Sequence, residues 1–236
     1  VRSRFHDRIE AGELLAEELA GFADRDDLVV LALPRGGVPV GYEVARRVRA
    51  PLDIVMVRKL GVPGHDELAM GAVASGGVCT LDRGLIAQLR IPHTDVDTEV
   101  AWETHELTRR EKLLRGTKPR RDLAGKTVIL VDDGVATGST MIVAIEAVRL
   151  SKAAHVVAAA PTWSSTAHAH VALLADEAVG LMISDAFFSV GQWYEDFSAV
   201  SDDDVRNLLE QADLAVFSRS PGGPKCAKPR PPSSSV

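Results

Sequence analysis

The chain has 236 residues, 46% of them apolar and 25% charged, which suits one globular domain with a core large enough to need no covalent staples. Its formal net charge of −6 argues against a general binder of nucleic acid or anionic membrane, because both need a basic surface, and leaves room only for a local basic site for a small anion. Cys79 and Cys226 lie too far apart for a disulfide framework or a cysteine-based zinc site, and this favours a reducing cytoplasm.

The opening stretch VRSRFHDRIEAGELLAEEL is charged throughout and lacks the apolar core of a signal peptide, so export by a recognisable route is not expected. From Glu10 to Phe22, Leu14, Leu15, Leu19 and Phe22 recur at helical spacing with glutamates between them, predicting an amphipathic helix. Leu28 to Leu33 is a continuous apolar run, predicting a strand buried on both faces. The turn Pro34-Arg35-Gly36-Gly37 follows, then a helical pattern from Val40 to Val48. A strand is expected from Leu52 to Val57, then a Gly/Pro-punctuated loop over 58–67, RKLGVPGHDE, and two short strands, LAMGAVA and GGVCTL, around a Ser-Gly-Gly turn.

Residues 94–115 form the longest helical candidate. Thr94 is suited to its N-cap, with acids early and Arg109, Arg110, Lys112 and Arg115 late to complement the macrodipole, so these charges are read as a solvated helix face. A strand over 127–131, a helix over about 138–150, a strand from Val156 to Ala160 and a helix over about 164–174, capped by Ser164-Ser165, complete an alternation that predicts a parallel sheet covered on both faces. The segment from Ser218 onward is rich in Pro, Ser and Gly and is expected to be a disordered tail.

In such a sheet, ligands collect beyond the carboxyl ends of the strands. The stretch over 128–140, VILVDDGVATGST, is such an end. Gly134, Ala136 and Gly138 let backbone amides approach a ligand, Thr137, Ser139 and Thr140 add hydroxyls, and the next helix brings its positive end, a combination that fits a phosphate. No lysine follows at P-loop spacing and there is no dinucleotide-binding glycine pattern. Asp132 and Asp133 are acceptors for hydroxyl groups, and a vicinal diol beside a phosphate describes a ribose 5-phosphate. Since successive strand residues face opposite ways, both carboxylates reach one ligand only where the chain is already turning; otherwise one of them is structural.

This motif resembles the hallmark of the type I phosphoribosyltransferases: four apolar residues, two acids, and a loop that holds the ribose 5-phosphate of 5-phosphoribosyl pyrophosphate (PRPP). The resemblance implies a Rossmann-like α/β fold with a parallel-sheet core at about 26–160. It also implies a small hood from the N-terminal helix and about 180–212, within a domain over 1–217 followed by the tail 218–236. It further implies that Pro34-Arg35-Gly36-Gly37 is the pyrophosphate loop, often with an unusual cis peptide. Arg58 or Lys59 would then sit on a mobile catalytic flap, with His65 as a weaker candidate on the same loop. The segment 187–197, FFSVGQWYEDF, holds five of the eleven aromatic residues of the chain. It resembles the hood of purine-salvage members, which implies that Phe188, with Trp193 nearby, meets a flat base and that Glu195 or Asp196 lies near magnesium (Mg2+), an ion otherwise held by substrate oxygens, water and the aspartates. The same aromatic cluster also suits plain packing.

Two departures matter. Salvage enzymes for 6-oxopurines carry an aspartate where this chain has Ala136, and a lysine after the next core strand where this chain reads VVAAAPTWSS. Hypoxanthine and guanine are therefore not the expected substrates. The pattern from the N-terminal helix through PRGGVPV, VRKLGVPG, ELAMGA and VGQWYEDF, roughly residues 5–212, is most similar to bacterial phosphoribosyltransferases without an assigned base. The resemblance implies a cytoplasmic enzyme and a homodimer. A non-catalytic sensor or helper that binds PRPP on the same fold is the alternative. His168 and His170, two apart on one predicted helix, have the wrong spacing for a shared metal face.

Overall fold

A computed structural model describes residues 4–217. Cys226 and the tail expected to be disordered lie outside the described residues. Helix α1 (Arg8–Glu18) starts at Asp7, whose carboxylate accepts the amides of Ile9 and Glu10, and is continued by a short 3-10 turn over Ala20–Phe22. Strand β1 (Leu28–Ala32) is buried along its whole length. Helix α2 (Gly37–Val48), the short strand β2 (Leu52–Ile54), the strands β3 (Val57–Val62), β4 (His65–Ala74) and β5 (Val78–Leu81), and helices α3 (Arg83–Leu89) and α4 (His93–Arg115) follow. Then come β6 (Thr127–Val131), α5 (Ser139–Leu150), β7 (His155–Ser164), α6 (Ser165–Ala172), β8 (Glu177–Ser184) and α7 (Asp202–Phe217), with a 3-10 turn over Val190–Trp193 before the last.

Five strands form a parallel sheet in the order β2-β1-β6-β7-β8, and β3-β4-β5 form a separate antiparallel sheet. The expected α/β parallel-sheet core is therefore present. Because side chains alternate across a strand, each core strand feeds two hydrophobic layers. Val30, Ala32, Ile129, Val131, Val157 and Ala159 pack with α1, α2 and α7, whereas Val29, Leu31, Val128, Leu130, Val156 and Ala158 pack with α5 and α6. That two-sided burial explains the unbroken apolar runs.

Several local expectations are corrected. The strand expected to end at Val57 stops at Ile54, and the segment expected to be a loop over 58–67 is mostly a hairpin: β3 pairs antiparallel with β4, and Gly64, at φ +76°, makes the turn. Leu60 and Val62 are buried against the core, and this packing outweighs the Gly and Pro punctuation. Helix α4 begins after Pro92, not at Thr94; the Thr94 hydroxyl lies 3.2 Å from Asp95 and caps nothing. The α4 charges are not all solvated, since Glu111 and Arg115 are buried. Strand β7 runs on to Ser164, whose hydroxyl does cap α6 by accepting the Ala167 amide at 3.0 Å. Helix α3, strand β8 and helix α7 were not anticipated as separate elements. Among the described residues no helix is long and apolar enough to cross a membrane.

Candidate active site

Strands β1 and β6 are neighbours, paired Ala32 to Val131, so the two loops that leave their carboxyl ends emerge side by side. The Leu33 amide donates to the Val131 carbonyl at 2.8 Å and carries the contact one residue further. The Pro34–Arg35 peptide is cis, as the family resemblance implies for a pyrophosphate loop. Gly36 and Gly37 then lie directly on the two aspartates. A β-carbon at Gly36 would stand 2.0 Å from Asp133 Oδ2, and one at Gly37 would stand 2.7 Å from the Val131 carbonyl oxygen and 2.9 Å from Asp132 Cα. Only glycine allows this approach.

The adjacent acids have different surroundings. Asp133 is buried, and its Oδ2 accepts from Arg8 Nε at 2.7 Å. Its carbonyl accepts from the Tyr194 hydroxyl at 2.5 Å. Arg8 also donates to the Ser198 carbonyl at 2.8 Å and lies 3.9 Å above the Phe197 ring. Asp132 is half-buried, and its Oδ1 accepts the Asp133 amide at 2.9 Å. Its carboxyl is held well above the usual carboxylate range, first by burial and then by the negative charge of Asp133. A carboxyl raised in the folded state contributes stability that is fully present below its unfolded pKa and lost as pH rises through the folded value. Asp132→Asn is therefore expected to raise the urea midpoint at pH 8, with the gain shrinking toward pH 4; an equal gain at both pH values would sink this account.

The loop after the acids is pressed from above by Val190, since a β-carbon on Gly134 would stand 2.5 Å from Val190 Cγ1. Val135 bridges to β7, and the Ala136 carbonyl accepts from the Ser164 hydroxyl at 2.6 Å. Gly138, at φ +81°, turns the chain into α5. Ala136, Thr137, Ser139 and Thr140 are exposed, and the Thr137 and Ser139 hydroxyls lie 3.1 Å apart. The amides of residues 136–138 meet no acceptor among the described residues, leaving a ring of donors at the positive end of α5.

The expected cations divide. Arg35 is half exposed above the loop, with Nη1 3.6 Å from Asp202 at the start of α7. Arg58 and Lys59 are consecutive residues of β3 and so point to opposite faces. Arg58 is tied by its Nε to Glu103 of α4, while the Gly61 amide donates to Glu99 at 3.1 Å, strapping the hairpin to that helix. Lys59 lines a cleft of about 390 Å3 with Thr80, Ser139 and Thr140 and has no carboxylate partner among the described residues. His65 is exposed in the hairpin.

Segment 185–198 forms a braced loop over the acids. Gln192 accepts the amides of Phe188 and Ser189 at 2.9 and 3.1 Å and donates to the Ala186 carbonyl at 2.8 Å. Phe188 is 91% exposed at the rim of this rigid turn. Trp193 packs on Phe187 at 5.9 Å between centroids, and its buried Nε1 has no hydrogen-bond partner among the described residues. Glu195 pairs with His6 at 3.4 Å, and Asp196 accepts the Ser198 amide at 2.9 Å. No three acidic, histidine or cysteine side chains converge as a metal cage among the described residues.

Sequence reading missed Arg8. Its only signal was its place at the start of an amphipathic helix, and its partner lies 125 residues away.

Fold and loop arrangement make this an α/β protein of the type I phosphoribosyltransferase class. A family model described as the phosphoribosyl transferase domain matches residues 4–169, and the chain belongs to that family. It is 41% identical over 208 residues to proteins of two Mycobacterium tuberculosis strains, each named "Putative phosphoribosyl transferase"; the match covers 88% of this chain and 47% of those proteins, so the chain spans about half the length of the curated relatives it matches. The crystal structure of TT1426 from Thermus thermophilus is similar at 41% identity and a TM-score of 0.77, covering 88% of this chain and 98% of that one.

Proposed function

We propose that the chain is a PRPP-dependent phosphoribosyltransferase that moves the ribose 5-phosphate group to a nitrogenous base or similar nucleophile and releases pyrophosphate. The observation that carries this reading is the contact of the Gly36-Gly37 turn with the two aspartates. It sets a loop suited to pyrophosphate directly on the acids suited to ribose hydroxyls, which the chain follows with the donors of residues 136–140.

In this reading the amides and hydroxyls of Ala136, Thr137, Gly138, Ser139 and Thr140 hold the 5-phosphate, Asp132 and Asp133 are the sugar-side acids, and Arg35 with the 36–37 amides holds the leaving group. A bond forms between a nucleophile nitrogen and the anomeric carbon while the bond from that carbon to pyrophosphate breaks, and the electron pair leaves with the pyrophosphate. Fixed positive groups aimed at that departing charge and orientation of the nucleophile supply the rate enhancement. Lys59, on the cleft-facing side of β3, is the flap cation of this reading, and Arg58 keeps the hairpin in place. Phe188 and Trp193 form the wall for a flat base in this reading. With alanine at 136, the nucleophile is expected to carry its attacking lone pair in the neutral form. The donor set suits magnesium, which takes one or two carboxylates together with phosphate oxygens. Asp132 offers an oxygen for it, with Glu195 and Asp196 further out; bound there, the ion would neutralise charge on pyrophosphate.

The same reading takes 1–217 as one domain, with the core over about 26–160 and α1 and about 180–212 as its hood, and it includes a homodimer in the cytoplasm. A non-catalytic PRPP binder is the second reading, favoured by Ala136 and by the engagement of Arg58 with Glu103. Incubation with PRPP, magnesium and a panel of bases, following pyrophosphate, separates the two. Base-dependent release is expected; PRPP binding with no release for any base would overturn the enzyme reading, and no PRPP binding would overturn both.

A further inference from the structure

Arg8 is one of the most fully engaged cations near the site, and the reaction outlined above does not use it. Both members of its pair with Asp133 are about nine-tenths buried, with side-chain exposures of 11% and 12%. Its contacts tie α1 to two pieces: Nε reaches Asp133, while Nη1 reaches the Ser198 carbonyl and the guanidinium plane lies over Phe197 and, at 5.9 Å, Tyr194, all in the 194–198 segment. Asp133 Oδ2 is also packed against Gly36, and the Asp133 carbonyl is held by Tyr194. The oxygen that Arg8 occupies is the one packed beneath the Pro34–Gly37 loop. Asp132 has no cation at hydrogen-bond distance among the described residues and retains exposed surface.

We propose that Arg8 is a positioning residue that divides the labour of the two acids: it holds Asp133 as an internal brace between α1, the 194–198 segment and the Pro34–Gly37 loop, and leaves Asp132 as the one carboxylate that meets the sugar hydroxyls. This rests on the PRPP reading given above. A guanidinium fits the role because its planar fork donates in two directions while its face stacks on an aromatic ring, which a lysine ammonium cannot reproduce. Without the cation, the charge of Asp133 stands unpaired beside Asp132 and repels a polyanionic ligand.

The test is a cycle of Arg8→Lys, Arg8→Gln, Asp133→Asn, Asp132→Asn and the double variant Arg8→Gln/Asp133→Asn, each titrated with PRPP and magnesium by calorimetry, with hydrogen exchange followed at 194–198. Arg8→Gln is expected to weaken PRPP binding about tenfold, within the range for coupled groups in contact. Arg8→Lys is expected to restore most of that affinity through its charge while 194–198 still exchanges faster than in the wild type, because the second hydrogen bond and the stacking are gone. The double variant is expected to recover affinity relative to Arg8→Gln, because the amide pair carries no stranded charge, whereas Asp132→Asn stays weak. If Asp133→Asn costs as much as Asp132→Asn and the losses of Arg8→Gln and Asp133→Asn simply add, Asp133 is a direct sugar ligand and the proposal falls. Wild-type protein that fails to bind PRPP would overturn the functional reading instead, so the two failures are told apart.

Discussion

Replacing Arg115 by alanine is expected to lower the unfolding free energy by about 3–5 kcal/mol, the range for removing one partner of a buried ion pair. Arg115 is at the end of α4 with its side chain 7% exposed. Its Nη1 donates to Asp53, and its Nη2 donates to the Ile54 carbonyl at 3.0 Å and to Glu111 at 2.9 Å. Arg120 donates to both oxygens of Glu111, sharing Oε1 with Arg115, and the Arg121 amide reaches Asp53 at 3.3 Å. The network holds the end of α4 and the chain around 120 against β2, a strand of three residues at one edge of the sheet. Without Arg115, Asp53 would be a buried carboxylate left with only backbone donors, Ile54 at 2.8 Å and Arg121. Burial alone would lift the pKa of Glu111; hydrogen bonds and charges from Arg120 and Arg115 reverse this and leave it lowered. A lowered carboxylate contributes stability that is present above its unfolded pKa and lost as pH falls through the folded value. The deficit of Arg115→Ala measured in urea at pH 7 should therefore narrow at acid pH. A neutral set, Arg115→Met with Asp53→Asn and Glu111→Gln, is expected to recover much of the loss, since it strands no buried charge and leaves only the half-exposed Arg120 to turn to solvent. A deficit of under about 1 kcal/mol for Arg115→Ala would mean that the network is screened like a surface pair.

The same arginine shows where sequence legibility ends. In the chain it is the last of four late basic residues on a helix, and the macrodipole accounts for such a residue without further help. Arg109 fits that reading, pairing with Glu106 on the surface. Arg115 differs because its partner Asp53 lies 62 residues away, and no local pattern encodes that distance. Core strands were legible because two-sided burial writes itself as continuous apolar runs. The hairpin was not, because Gly61, Pro63 and Gly64 mask the alternation of VRKLGV, in which Leu60 and Val62 point inward. Once β3 is recognised, the opposite facing of Arg58 and Lys59 follows from period two alone. The proposed phosphate and pyrophosphate loops were legible as motifs, since each is contiguous. The contact of the Pro34–Gly37 loop with the aspartates was not, because it depends on the pairing of β1 with β6, and the Arg8 brace was not, because it depends on how α1 and the 194–198 segment close over those strand ends.

Gly37→Ala is expected to be the most damaging small change at the candidate site. Gly36 has φ −60° and ψ −36°, angles any residue adopts, so only crowding forbids a side chain there. The obstacle at Gly36 is the Asp133 carboxylate, Oδ2 at 2.0 Å and Cγ at 2.6 Å, and it can swing aside only by leaving Arg8. At Gly37 the obstacle is backbone: the Val131 carbonyl at 2.7 Å and Asp132 Cα at 2.9 Å belong to the end of a central strand that is paired on both sides. Neither can rotate away, so the loop itself must lift. Overpacking of this kind costs about 1–3 kcal/mol of stability, which a domain of ordinary stability survives. The functional loss should be larger, because a displacement of about 1 Å between binding groups can cost on the order of a hundredfold. Gly37→Ala is thus expected to fold with a modestly lowered urea midpoint and to bind PRPP about a hundredfold more weakly. Gly21→Ala, with nothing within 4 Å of the added carbon, is expected to match the wild type in both measurements. Should Gly37→Ala keep the wild-type midpoint and the wild-type affinity, the loop has slack at that point, and its close seating on the aspartates is not what organises the site.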